Sequence, residues 1–174
     1  NIGSGQGLEK IIPQAAELLG NKYLFKIIGD GGTKGLLKNK VEELGLTNVE
    51  IINPVSRNKL VDYYTEADFL FLHLNNLEAF KKVIPSKIFE YATFNKPIIA
   101  GVSGYAYKFI QENLSNYILF YPANVNDFVV KLQEFRYDII DSNEFVTKFS
   151  RKKIMKEMAC SILSTITFFN RNGS

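Results

Sequence analysis

The chain has 174 residues, of which 46% are hydrophobic and 22% charged, enough for one domain with a real core and too ordinary for a disordered or fibrous class. A net charge of +3, from 21 basic and 18 acidic residues, is too small an excess to argue for a nucleic-acid partner without a clustered stripe, though it leaves room for a phosphate ligand. No apolar run approaches the ~20 residues that span a bilayer, and NIGSGQG lacks the basic-then-apolar pattern of a signal peptide, so the chain reads as cytoplasmic.

The chain opens in a glycine-rich loop where an α/β unit would already have supplied a strand, which reads as a fragment of a longer protein. From Leu8 to Leu19 the apolar residues fall on one helical face that stops at Gly20, with Pro13 as a local conflict: the helix begins near Ile12 or kinks there. YLFKIIG then reads as a buried strand, GDGGTKG as a turn, and LLKNKVEELGL as a helix closing near Gly45. The pattern repeats with VEII as strand, SRNKLVDYYTEA as helix, DFLFLHL as strand, PSKIFEYATF as helix and KPIIAGV as strand. YAYKFIQEN (helix), NYILFY (strand) and NVNDFVVKLQEF (helix) follow. Strands alternating with helices predict an α/β fold, a Rossmann-like doubly wound parallel sheet spanning residues 1–142. Residues 143–174 have helical spacing and predict a long C-terminal helix packed on that body, with Cys160 as a small buried residue in it rather than a nucleophile.

Ligands of open α/β sheets bind at the carboxyl ends of the strands, where helix N-termini expose free N–H groups. Three loops of this sequence meet there. In the first, Gly3, Gly5 and Gly7 let backbone approach an anion and Ser4 offers a hydroxyl, although a plain turn has the same composition. The second runs from Gly29 with Lys34 at the start of the following helix. In the third, Pro85 initiates a helix and Ser86, Lys87 and Ile88 present first-turn amides that can hold a diphosphate. Glu90 lies one turn beyond Ser86, where a carboxylate can accept from two vicinal hydroxyls; the competing reading is an intrahelical Lys87–Glu90 surface pair. His73, the sole histidine, ends a strand at this edge and reads as a hydrogen-bonded structural residue before a catalytic one. Lys81 and Lys82 precede the third loop, where they can meet an anion.

Read together, GSGQGLEKIIPQAAELL, FKIIGDGGTKGLLKNKVEELGLTNVEIINPV, LVDYYTEADFLFLHL, PSKIFEYATFNKPIIAG, YILFYPANVNDFVVKL and FSRKKIMKEMA resemble, over nearly the whole chain, the C-terminal half of retaining GT-B glycosyltransferases of family 4. The PSKIFEY block followed by NKPIIAG is similar to the branch that builds bacterial O-antigen and capsule polysaccharides with N-acetylated amino sugars. The resemblance implies that Glu90 binds the donor ribose, that backbone at Ser86 and Lys87 and the loop of Gly3, Ser4 and Gly7 face the diphosphate, and that backbone at Pro54 and Val55 contacts the base. It implies a UDP-sugar donor, a lipid-linked glycan acceptor, no metal or other cofactor, no nucleic acid, and an N-terminal acceptor domain absent from this chain. Such an acceptor implies peripheral attachment of the intact enzyme to the inner face of the cell membrane.

Two departures qualify it. Family members often carry a second glutamate eight residues before the ribose-binding one, where Lys82 stands here; and Gln6 stands where many have a phosphate-binding lysine, so that Lys34, Lys82 or Lys87 is left to supply the charge. Catalytic residues are unassigned, with Lys82 and Lys87 as candidates. Other readings are an NAD-dependent oxidoreductase, since Gly3-Ser4-Gly5 with Asp30 after the next strand mimics that fingerprint although Leu8 stands at its third glycine, a UDP-sugar epimerase, whose acid and base residues cannot be identified, and a non-catalytic interaction module.

Overall fold

The computed structural model describes residues 1–172, with side chains as far as Ser164. In chain order it forms α1 (Leu8–Leu19), β1 (Phe25–Ile28), α2 (Lys34–Glu43), β2 (Val49–Ile52), α3 (Arg57–Glu66), β3 (Leu70–His73), α4 (Lys87–Tyr91), β4 (Ile98–Gly101), α5 (Gly104–Asn113), β5 (Tyr117–Phe120), α6 (Val125–Glu134), α7 (Asn143–Lys148) and α8 (Arg151–Asn172). Every strand pair is parallel, and the strands form two sheets, β1-β2 and β3-β4-β5. This is the expected Rossmann-like α/β architecture, with its strands in two hydrogen-bonded pieces.

Side-chain alternation along the strands explains the layering. Leu70, Leu72, Ile98 and Ala100 join one core with Tyr64, Ile88, Ile110 and Phe145, so α3, α4, α5 and α7 cover that face. Ile27, Val49, Ile99 and Ile118, from both sheets, join the opposite core with Ile11, Ile12, Leu37 and Phe128 of α1, α2 and α6. One continuous core therefore underlies both pieces of sheet.

Between the pieces lies the N-terminal loop. Ile2 donates its N–H to the Asp30 carbonyl just beyond β1 (2.8 Å), and Asn75, just beyond β3, donates to the Gly5 carbonyl (2.8 Å). The outer edges of β1 and β3 thus turn toward the same short stretch of chain.

Pro13 neither delays nor ends α1, which is helical from Leu8. A proline at this position cannot donate to the carbonyl of Glu9, four residues earlier. The Lys40 ammonium of α2 donates to that carbonyl instead (3.0 Å). The expected long helix from Asn143 divides at Phe149 and Ser150 into α7 and α8. Phe145 and Phe149 pack in tilted and edge-on contacts with Phe89 and Phe109, whereas residues 151–164 of α8 are exposed. Cys160 corrects the sequence expectation, since it is exposed: the described side chains of its helix, residues 151–164, lie against no core.

Candidate functional site

Because all strands are parallel, the loops after β1, β2 and β3 open at one end of the fold, and the glycine-rich N-terminal loop joins them there. That loop is built chiefly by its own side chains and by β3. The Gln6 Oε1 accepts from Gly3 N (3.2 Å), and the Gln6 and Gly7 amides donate to the Gly3 carbonyl. Gly3 N is therefore already satisfied, which removes it from the free amides expected to face a diphosphate. Asn75 Nδ2 holds the Ser4 carbonyl (3.1 Å) and its Oδ1 accepts from the Lys10 ammonium, while Ser4 itself is exposed. Gly5 packs on the Phe80 ring, and Gly7 adopts φ 56° against Asn75, a left-handed conformation that suits glycine.

His73 is the inner anchor of this loop. Its buried ring donates from Nδ1 to the Gln6 carbonyl and accepts at Nε2 from the Ala123 amide (2.9 Å), between the N-terminal loop and the segment after β5. Burial lowers its pKa from the ordinary 6.5, against the raising effect of the Gln6 carbonyl. With both nitrogens engaged and the ring buried, His73 serves as a neutral structural clamp.

The loop after β1 carries Gly29 at φ 144° and Gly31 at φ 155°, where a side chain on Gly31 would lie 2.4 Å from the Ile2 carbonyl. Asp30 closes its own turn by accepting from Gly31 N, and Lys34 donates to Asn53 Oδ1 (2.7 Å) beside Asp30. Gly29 thus supports the chain start, and Lys34 ties the loop after β1 to the loop after β2. Pro54 is exposed and Val55 half-buried in that second loop, which Ser56 closes by capping α3 on Lys59 N (3.4 Å).

The third loop differs from expectation in detail. Ile88 N donates to the Pro85 carbonyl (3.1 Å), so the first-turn amides left open are those of Ser86 and Lys87. The Lys87 ammonium bonds the Tyr64 hydroxyl (3.4 Å) and sits 5.4 Å from the Tyr91 ring centre, which rules out the intrahelical Lys87–Glu90 pair. Burial, reinforced by Tyr64, pushes the Tyr91 hydroxyl far above its ordinary pKa. Glu90, with a quarter of its side chain exposed, is instead ion-paired with Arg57 from the start of α3. Lys82 ends an exposed 3-10 turn whose other lysine, Lys81, pairs with Glu78.

The structure thus joins Glu90 to Arg57, Ser4 and Gly7 to Asn75, and Gln6 to His73, while Gly3 is held by Gln6 within its own loop. Arg57 and Asn75 were not singled out from sequence. Arg57 lies two residues beyond Val55, but no local pattern announces a partner 33 positions away. A shallow hollow of about 640 Å³ beside Tyr121–Asn126 involves none of the predicted residues.

Comparison with known proteins decides among the sequence readings. Residues 2–152 match the family model of Glycosyl transferases group 1. The chain belongs to this family. The match displaces the oxidoreductase and interaction-module readings, and Asp30, occupied with Gly31 N and lying beside Lys34, fits its absence from a dinucleotide fingerprint. Over 88 residues the chain is 33% identical to the Escherichia coli K12 protein described as colanic acid biosynthesis glycosyl transferase WcaI, covering 51% of this chain and 21% of that one. Among solved structures, HepE from Anabaena in complex with UDP and glucose superposes with a TM-score of 0.69 at 17% identity, over 91% of this chain and 45% of that one. AviGT4, a glycosyltransferase involved in avilamycin A biosynthesis, gives 0.56 at 12% identity, over 78% and 41%. The chain therefore spans about a fifth of the curated relative and less than half of these solved structures, and its fold is similar to that of these GT-B glycosyltransferase structures. Among the described residues, no helix is long and apolar enough to cross a membrane.

Proposed function

We propose that this chain is the donor-binding half of a retaining family 4 glycosyltransferase that moves a hexosyl or N-acetylhexosaminyl group from a UDP-sugar to a lipid-linked polysaccharide precursor. The observation that carries this reading is Glu90. Arg57 holds its Oε1, its Oε2 accepts no hydrogen bond among the described residues, and the open amides of Ser86 and Lys87 lie one turn earlier. A ribose placed on the free oxygen would bring the adjoining diphosphate toward those amides. HepE, of similar fold, was solved with UDP and glucose, which supports UDP as the nucleotide.

In this reading Pro54 and Val55 backbone receives the base, and Ser4 with the Gly7 segment borders the diphosphate. The backbone amides of Ser86 and Lys87, with the exposed Lys82 as the candidate cation, neutralise the leaving group as it departs, so no metal or other cofactor is required. The acceptor would be held by a further domain, and a lipid-linked acceptor would keep the intact enzyme at the cytoplasmic membrane surface.

Titration with UDP, followed by amide chemical shifts, tests the donor site. Saturable shifts are expected at millimolar strength, weakened at least tenfold in Glu90→Ala, because a hydrogen bond to a charged group contributes about 1.5–3 kcal/mol. Equal affinity of the variant would remove Glu90 from the site. The chain alone is expected to form no product from radiolabelled donor; turnover would show that the acceptor domain is dispensable.

A further inference from the structure

We propose that Arg57 is a positioning residue for nucleotide-sugar binding: it fixes one oxygen of the Glu90 carboxylate so that the other faces the ribose hydroxyls. The inference rests on the donor-binding reading of Glu90 given above and adds to it a residue from another element.

The geometry of α3 against α4 carries it. Arg57 and Tyr64 are seven residues apart on α3, nearly two helical turns, and so share one face of that helix. At the lower end of this face Tyr64 packs edge-on against Tyr91 (5.3 Å between ring centres) and Phe94 (5.2 Å), and its hydroxyl takes the Lys87 ammonium. Tyr64 and Tyr91 are both buried, so this aromatic joint sets how α3 lies on α4. At the upper end of the same face the next contact is the Arg57–Glu90 pair. The buried aromatic joint therefore sets where α3 begins relative to Glu90, and the exposed Arg57 side chain reaches the carboxylate from there.

Lys87, three residues before Glu90, is committed elsewhere, drawn back to Tyr64 and the Tyr91 ring. Arg57 is thus the cation that touches Glu90, through one guanidinium nitrogen on Oε1. A guanidinium holding one oxygen restrains where the carboxylate points and leaves its other oxygen as the acceptor. Arg57 keeps two thirds of its side chain exposed, so the pair is open to solvent on the side away from the seam, and an incoming ribose can reach Oε2 without breaking it. Two vicinal hydroxyls gain most from an acceptor already held in orientation, because the ordering cost is then met before the ligand arrives.

The test compares affinities for UDP and for 2′,3′-dideoxy-UDP, which lacks the ribose hydroxyls, in the wild-type chain and in Arg57→Ala, Arg57→Lys and Glu90→Gln. The wild type is expected to prefer UDP by about tenfold. Arg57→Ala should reduce that preference to about twofold while leaving the dideoxy affinity unchanged, with Arg57→Lys between the two. In a Glu90→Gln background, Arg57→Ala should change nothing further, since the two act through one contact. A merely structural seam contact would instead weaken both ligands equally and leave the ratio intact, and this result overturns the proposal. So does tighter UDP binding in Arg57→Ala, which would make the arginine a competitor for the carboxylate. If the wild type shows no preference and Glu90→Gln has no effect, the donor reading fails, and the role of Arg57 fails with it. Melting temperatures of the variants separate misfolding from these outcomes, and Arg57→Lys, which keeps the charge and most of the stem, serves if the alanine variant does not fold.

Discussion

At the scale of single residues, His73 makes the clearest commitment. Its Nε2 accepts the Ala123 amide, so protonation would set two donors face to face inside a buried pocket. The folded-state pKa is lowered by burial, whereas the unfolded chain takes up a proton near 6.5. Below that pH the unfolded state binds more protons than the folded one, so stability is full above 6.5 and is lost as pH falls toward the lower folded value. As the chain has one histidine, the slope between pH 7.5 and 5.5 belongs mainly to it. We expect Tm to fall as pH is lowered over this range, by about 2–4 °C for each kcal/mol of stability lost, and His73→Gln to be less stable at pH 7.5 but nearly flat. An unchanged slope in the variant would place the titrating group elsewhere. The structural role of His73 and the placing of Glu90 on a helix at the functional edge were legible in the sequence, because strand ends and proline-led helix starts have local signals. The partners of both were not, since Arg57–Glu90 and His73–Ala123 join positions that only the folded chain brings together.

At the scale of elements, periodicity located the alternating strands and helices because burial on one or both faces imposes a repeat on the sequence. It failed where an outcome depends on a neighbour. Pro13 looked like a boundary, and nothing in LEKIIPQ shows that Lys40 will take up the carbonyl the proline leaves without a donor. Cys160 looked buried because helical apolar spacing does not say whether a packing partner exists. The Lys40 bridge is open to measurement. Lys40→Ala should cost about 1 kcal/mol in denaturant unfolding, the scale of one hydrogen bond on a carbonyl otherwise left to partial solvation. In a Pro13→Ala background the same change should cost distinctly less, because residue 13 then has an N–H that can donate to Glu9. Equal losses in both backgrounds would show that Lys40 stabilises α2 by some other contact.

At the scale of the whole molecule, the division of the sheet has a geometric consequence. In parallel strands successive residues turn their backbone groups to alternate sides. Phe25 and Gly29 donate to the β2 side, so Lys26 and Ile28 face away from β2, on the side where Asp30 meets Ile2. Leu70 and Leu74 donate to the β4 side, so Phe71 and His73 face away from β4, on the side where Asn75 meets Gly5. Ile2 and Gly5 are three residues apart and span at most about 11 Å, close to the ~10 Å that separates two strands flanking a third. The open edges therefore leave room for one more parallel strand leading into Asn1, over a core that α1, α2 and α6 already share. A Val- and Ile-rich five-residue extension ahead of Asn1 should raise Tm by about 5 °C, from new ladder bonds and apolar burial less the entropy of ordering the extension. Hydrogen exchange should slow at the Ile28 and His73 amides and stay unchanged at Phe25 and Leu70, which are already bonded on the far side of each strand. The same extension with alternating glycines should give neither effect. If the apolar extension leaves both Tm and exchange unaltered, the two edges are not spaced for a strand, and the N-terminal loop alone bridges the two sheets.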